Sequence, residues 1–200
     1  GQLETWAPGL RSSVNTLAIV GANLLVGGEF NAVNLNTEQH YLTQYDLSTG
    51  LAVPWTTGNY PDGPVDALAV QGSTIYAAGR FNLAGGQVRH GLVALNVSDG
   101  TASEWAPVGT SDGVHTLSTD GMAVYIGGLF TNLGGTYQRN IVALQASTGA
   151  LVPWNMDVPD RVTQVEVDGN SVYFLGPFKF VNGEPKKYLA KADGETGELL

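Results

Sequence analysis

The sequence predicts an all-β fold assembled from repeated copies of one antiparallel sheet, and three observations carry that expectation. First, the stretch VYIGGLF at 124–130 recurs as LLVGGEF at 24–30, IYAAGRF at 75–81 and VYFLGPF at 172–178, which places Phe30, Phe81, Phe130 and Phe178 at intervals of 51, 49 and 48 residues. A period near fifty makes the repeat the folding unit. Second, 27 glycines and a charged fraction of only 14% suit short strands joined by tight turns; helices expose more Lys and Glu. Third, no segment shows a helical apolar stripe.

Each repeat opens with an apolar run: VNTLAIV from Val14, VDALAV from Val65, VHTLST from Val114 and VTQVEV from Val162. These are first strands. Turns follow at Gly21, Gly72, Asp120-Gly121 and Asp168-Gly169, where Gly supplies the positive φ of a two-residue hairpin. The recurring stretch is the second strand, rich in β-branched and aromatic residues, and its paired glycines mark a bulge or a close approach of two backbones. A connection of variable length and polar content comes next, NAVNLNTEQH at 31–40 against NLAGGQVRH at 82–90, which reads as a surface loop.

Third strands follow at YLTQYD, GLVALN, NIVALQ and YLAKAD, closed by turns at 46–50, 96–100, 145–149 and 193–197. The Asx side chain in these turns accepts backbone N–H groups and the final Gly takes the left-handed conformation. A fourth strand runs from each Gly to a Trp: Trp6, Trp55, Trp105 and Trp154. Four strands up and down with hairpin-sized first and third turns make the blade of a β-propeller. The expectation is one propeller or half-propeller domain over 1–200, with four blades' worth of strands in repeats at about 1–50, 51–100, 101–149 and 150–200. The chain opens on a lone fourth strand (1–6) and ends on the start of another (197–200). The N-terminal strand then completes the last blade and closes four blades, or the chain is a half-propeller that pairs with a second copy, or part of a larger ring. Gly1 opens in mid-repeat, so a longer native chain is expected.

Composition excludes several classes of function. A net charge of −9 gives no general attraction to nucleic acid or anionic lipid. No apolar run reaches membrane-spanning length. With zero cysteines there are no disulfides, thiolate metal sites or Cys nucleophiles. No nucleophile-elbow, phosphate-loop or metalloprotease motif occurs, and no cofactor is expected.

Features shared by all repeats are read as scaffold: the four Trp, candidate sugar platforms, are assigned to packing between blades, together with the four Phe. Function is sought where the copies differ. The residue after each leading Val is Asn15, Asp66, His115 and Thr163, a polar ring at the mouth of the channel that first strands line. The middle of the recurring stretch diverges into Glu29, Arg80, Leu129 and Pro177. His40, His90, Arg139 and Lys187 align before the third strand, with Arg89 beside His90; this basic set suits an anionic glycan, or pairs with carbonyls and acids of the next blade. Asp62, Asp112 and Asp160 in the connections between blades are the carboxylates nearest to a Ca²⁺ site, with turn formation their expected role.

The complete repeat, V-x-x-L-A, then Y-x-G-G-x-F, G-G, L-A-x-L-D-x-x-T-G and W-x-P, resembles the delta-60 family of bacterial propeller repeats over essentially the whole chain. The third repeat carries it best, with VYIGGLF, LGG at 133–135, IVALQASTG and VPW in order; Trp55 and Trp154 lack the Pro that follows Trp6-Ala7 and Trp105-Ala106. A weaker similarity, to quinoprotein propeller repeats, fails on spacing: Trp lies five residues after Gly here and four there. The first resemblance implies a secreted or surface-exposed bacterial module and no catalytic residue. The function expected is a non-enzymatic extracellular module presenting a loop-rich face to a glycan or protein; the alternatives are a spacer or assembly unit of a surface protein, and a polysaccharide-active enzyme.

Overall fold

A computed structural model describes residues 6, 8–34, 39–55, 58–107, 113–133 and 136–200. The described chain is an all-β propeller fold without helices among the described residues. Four antiparallel three-stranded sheets follow one another: β1 (Val14–Val20), β2 (Asn23–Gly28) and β3 (Leu42–Asp46); β4 (Val65–Gln71), β5 (Thr74–Gly79) and β8 (Leu92–Asn96); β9 (Val114–Thr119), β10 (Ala123–Gly128) and β13 (Ile141–Gln145); β14 (Gln164–Asp168), β15 (Ser171–Leu175) and β18 (Leu189–Asp193). In each the strand containing the recurring stretch is central, and in the second and third sheets nearly all of its residues are buried.

Neighbouring sheets pack face to face, and the core is divided among the seams between them. Tyr76, Ala78 and Ala94 of the second sheet meet Val124, Ile126 and Leu144 of the third. Tyr125 and Ala143 of the third meet Val165, Val172 and Phe174 of the fourth. Alternation along each strand produces this, since one set of side chains points to the preceding sheet and the other to the following one.

The glycine two residues before the Phe of each recurring stretch is where two backbones meet. A Cβ at Gly28, Gly79, Gly128 or Gly176 would lie 2.2, 2.1, 1.9 or 2.1 Å from the carbonyl oxygen of Ser13, Pro64, Gly113 or Arg161. The next residue's N–H donates to that same carbonyl in three sheets, from Glu29, Arg80 and Leu129. Pro177 has no N–H to give. The close approach expected of the paired glycines holds at Gly28 and Gly128, and the lone Gly79 and Gly176 make the same contact.

The turns between third and fourth strands follow expectation at Asp46, Asn96 and Asp193, while Gln145, in the third, accepts the Thr148 hydroxyl instead of a backbone N–H. Gly50, Gly100, Gly149 and Gly197 adopt φ of 68, 73, 77 and 72°. Asp46 Oδ1 accepts the N–H groups of Ser48 and Thr49, and Asp193 Oδ1 those of Glu195 and Thr196. These bonds draw the Asp46 carboxyl down to about 2, the Ser48 hydroxyl contributing most.

Two expectations need correction. The fourth strand shrinks to one bridge per sheet, Tyr45–Ala52, Leu95–Ala102, Leu144–Leu151 and Ala192–Leu199. It shrinks because the chain leaves the sheet to carry its Trp forward: Trp55, Trp105 and Trp154 donate Nε1–H to the carbonyls of Val97, Gln145 and Asp193 in the following sheet, at 2.9, 3.0 and 2.9 Å. Five-residue straps thus join each sheet to the next. Likewise, the variable connections are not wholly irregular. Three fold into small hairpins, β6 (Leu83–Ala84) with β7 (Gln87–Val88), β11 (Asn132–Leu133) with β12 (Thr136–Tyr137), and β16 (Phe180–Val181) with β17 (Glu184–Pro185). The expected exchange of the N-terminal strand into the last sheet falls on residues 1–5, outside the described residues, while Leu199 itself holds the fourth-strand position there.

Candidate functional site

The register of the inner strands explains how polar residues reach the channel. Val14 faces Gly28 and Thr16 faces Gly27, so Asn15 is an extra residue, a β-bulge; Asp66 and His115 are extra in the same way in β4 and β9. A bulge breaks the pleat and re-aims its side chain. Asn15, Asp66 and His115 thereby join Thr163, Gln164 and Glu166 around one central cavity of about 350 Å³. The fourth sheet differs: Thr163 precedes β14 and its N–H and hydroxyl both donate to the Leu175 carbonyl.

At the mouth, the divergent positions of the first two repeats meet. Arg80 donates to Glu29 Oε1 at 2.6 Å and to Asp66 Oδ2 at 3.1 Å, and Asn15 Nδ2 donates to Asp66 Oδ1 at 3.0 Å. Hydrogen bonds to Asp66 and then Glu29 hold the guanidinium further above its ordinary value. Two carboxylates against one cation leave this corner negative, and with Glu166 the cavity disfavours anions.

A second concavity, of about 330 Å³, lies where the third and fourth sheets meet, lined by Tyr137, Gln138, Arg139, Asn155, Asp157 and Asn182 among others. Arg139 grips Asp157 with Nε and Nη2 at 2.6 and 2.5 Å, a bidentate pair that raises the guanidinium further. Asn182, at φ 51°, accepts the Asp157 N–H at 2.6 Å and donates to the Asn155 carbonyl at 3.2 Å. Tyr137, 64% exposed, presents its ring beside this polar floor.

The basic set does not converge on one cavity. His40 is wedged against Tyr41 and Tyr60 with Nδ1 unpartnered. Arg89 donates to the carbonyls of Val88 and Ser103 and to Gln87, His90 contacts Asn82, and Arg139 has Asp157; Lys187 is exposed. Of the acids, Asp62 Oδ1 accepts the N–H groups of Asn82 and Leu83, and Asp160 that of Arg161. Asp112 lies outside the described residues. Among the described residues no group of three His, Cys, Asp or Glu side chains is placed to hold a metal.

Sequence reasoning missed Tyr137, Asn155, Asp157 and Asn182. Each occurs once, so the repeat period gives no signal for them. The Trp residues, by contrast, sit where packing requires: Trp55, Trp105 and Trp154 are 6, 2 and 2% exposed, stacked on or edge-on to Tyr60, Tyr76 and Tyr125.

No protein-family model matches the sequence, and no curated protein sequence matches it. Solved structures do. The computationally designed Ika4 protein superposes with a TM-score of 0.62 at 14% identity, over 92% of this chain and 93% of that one. The WD40 domain of Pan2 from Neurospora crassa gives 0.56 at 10% identity, over 94% of this chain and 50% of that one. The extracellular domain of BT4673 from B. thetaiotaomicron gives 0.55 at 15%, over 94% of this chain and 22% of that one. WD40 domains are propellers, and at these identities the likeness is one of fold.

Proposed function

We propose that this propeller is a non-enzymatic binding module that takes a neutral, hydroxyl-rich ligand of the glycan class on the face carrying the channel mouth and the small hairpins. The observation that carries the reading is the bulge: three repeats spend an irregular residue to turn Asn15, Asp66 and His115 into one cavity, and those residues differ while the surrounding scaffold repeats. Carboxylate, amide and hydroxyl groups around a small polar cavity are the donors and acceptors that sugar hydroxyls require. The groove of Tyr137, Arg139, Asp157 and Asn182 adds an aromatic ring over a hydrogen-bonding floor, a second contact for an extended ligand. Acidic glycans fit less well, since Arg80 and Arg139 are already paired with carboxylates. An extracellular or cell-surface setting accords with this reading, with the delta-60 resemblance and with the likeness to an extracellular propeller domain.

The test is a glycan array followed by calorimetry on the hits. Binding of neutral glycans is expected to fall at least tenfold in Asp66→Asn and in Tyr137→Ala with the melting temperature kept. Absence of any hit, or hits indifferent to both substitutions, refutes the assignment.

A further inference from the structure

Equivalent positions divide each sheet into a face shown to its successor and a face shown to its predecessor. Tyr76 and Tyr125 point forward and are 4 and 1% exposed; their equivalent in the fourth sheet, Tyr173, is 36% exposed, beside Leu175 and Leu189 at 39 and 59%. Leu68, Leu117 and Val165 point backward and are 8, 7 and 1% exposed; their equivalent in the first sheet, Leu17, is 59% exposed, with Ile19 at 68%. Among the described residues the first and fourth sheets therefore carry two complementary apolar faces that are left uncovered. An exposed patch of this kind marks an interaction surface.

Hydrogen bonding identifies the shape each face awaits. Tyr76 Oη donates to the Ala146 carbonyl at 2.9 Å, and Tyr125 Oη to the Gly194 carbonyl at 3.0 Å, each in the turn that closes the third strand of the next sheet. At the open seam the equivalent pair is Tyr173 Oη and the Leu47 carbonyl. Leu47 is exposed, and Lys191 lies over the Tyr173 ring at 5.5 Å.

We propose that the forward face of the fourth sheet docks on the backward face of the first sheet in a second copy of this chain, and that two copies make this contact twice to close one ring. The seam continues, in register and chemistry, the three seams already present inside the chain. What the fourth sheet awaits is a backward face with uncovered aliphatic residues and a free carbonyl at the turn, and among the described residues only the first sheet presents one. Each copy has one face of each kind, so the forward-to-backward contact is made twice about a two-fold axis and the closed pair is isologous. With −9 on each chain, association is expected to strengthen as salt screens the repulsion.

The chain has no cysteine, so single thiols report geometry directly. The 200-residue chain should sediment at twice its 21.0 kDa mass in a concentration-dependent manner. Leu17→Glu, at an exposed position, should leave melting of the monomer unchanged while weakening the pair by about 30-fold or more, as loss of a central contact does. Leu17→Cys and Leu175→Cys mixed under mild oxidation should give a cross-linked pair that neither variant gives alone. A monomer at all concentrations, cross-linking of either variant with itself, a double variant that links within one chain, or open-ended higher species would each overturn the closed pair.

Discussion

Replacing Trp105 and Trp6 by Ala, one at a time, tests whether these residues are packing or platform. They occupy the same repeat position but differ in burial: Trp105 is 2% exposed and Trp6 46%. Trp105 lies edge-on to Tyr76 with ring centroids 5.2 Å apart and donates to the Gln145 carbonyl at 3.0 Å. Its removal costs about 3–5 kcal/mol, the usual range for a buried Trp cut to Ala, including the hydrogen bond. Trp6 makes the same kind of bond, to the Gly50 carbonyl at 2.9 Å, and an edge contact with Tyr45 at 5.4 Å, yet only about half its surface is covered. Scaling by buried area puts its cost at about 1.5–2.5 kcal/mol. For a chain of this size each kcal/mol moves the melting temperature by about 2–4 °C, so Trp105→Ala should melt roughly 10 °C lower and Trp6→Ala about half as far. Calorimetry at matched concentration is the assay, since removing Trp compromises fluorescence. Equal losses would refute the argument from burial, and an unshifted Trp105→Ala that loses ligand would restore the platform.

Two further outcomes follow from local geometry. Gly128→Ala sets a methyl 1.9 Å from the Gly113 oxygen and should cost about 1–3 kcal/mol in urea unfolding, whereas Gly21→Ala, with nothing within 4 Å, should cost about 1 kcal/mol through its left-handed φ of 56° alone. The Asp46 carboxyl, held at about 2, should titrate there by NMR, and Ser48→Ala should move its midpoint upward; because the folded value is depressed, its contribution to stability is complete above the unfolded value near 4 and fades as pH falls toward 2.

What recurs was legible in the sequence. Gly28, Gly79, Gly128 and Gly176 announce a backbone contact because nothing but Gly survives beneath a carbonyl, and the bulge residues were found because they vary directly after a constant Val. Pairings made once were hidden. Arg139 with Asp157 joins the recurring basic position before β13 to a residue that leads into β14 and occurs once. Glu29 and Arg80 were singled out as divergent, but only the fold shows that they meet. Most opaque were the uncovered faces: Leu17 and Ile19 read like Leu68 and Val70, and their exposure depends on which sheet stands beside them.

The straps between sheets have a consequence for how the molecule opens. Ala52, Ala102 and Leu151 each complete one sheet, and the Trp three residues later seals the next. Peeling either sheet must drag the shared segment from both. Adjacent units are thus coupled as in a one-dimensional cooperative array, and the smallest excursion that exposes interior amides is a pair of sheets. Slow-exchanging amide protons should then lose protection in neighbouring pairs, and a ligand bound between the third and fourth sheets would slow exchange in the second through the strap at 101–105.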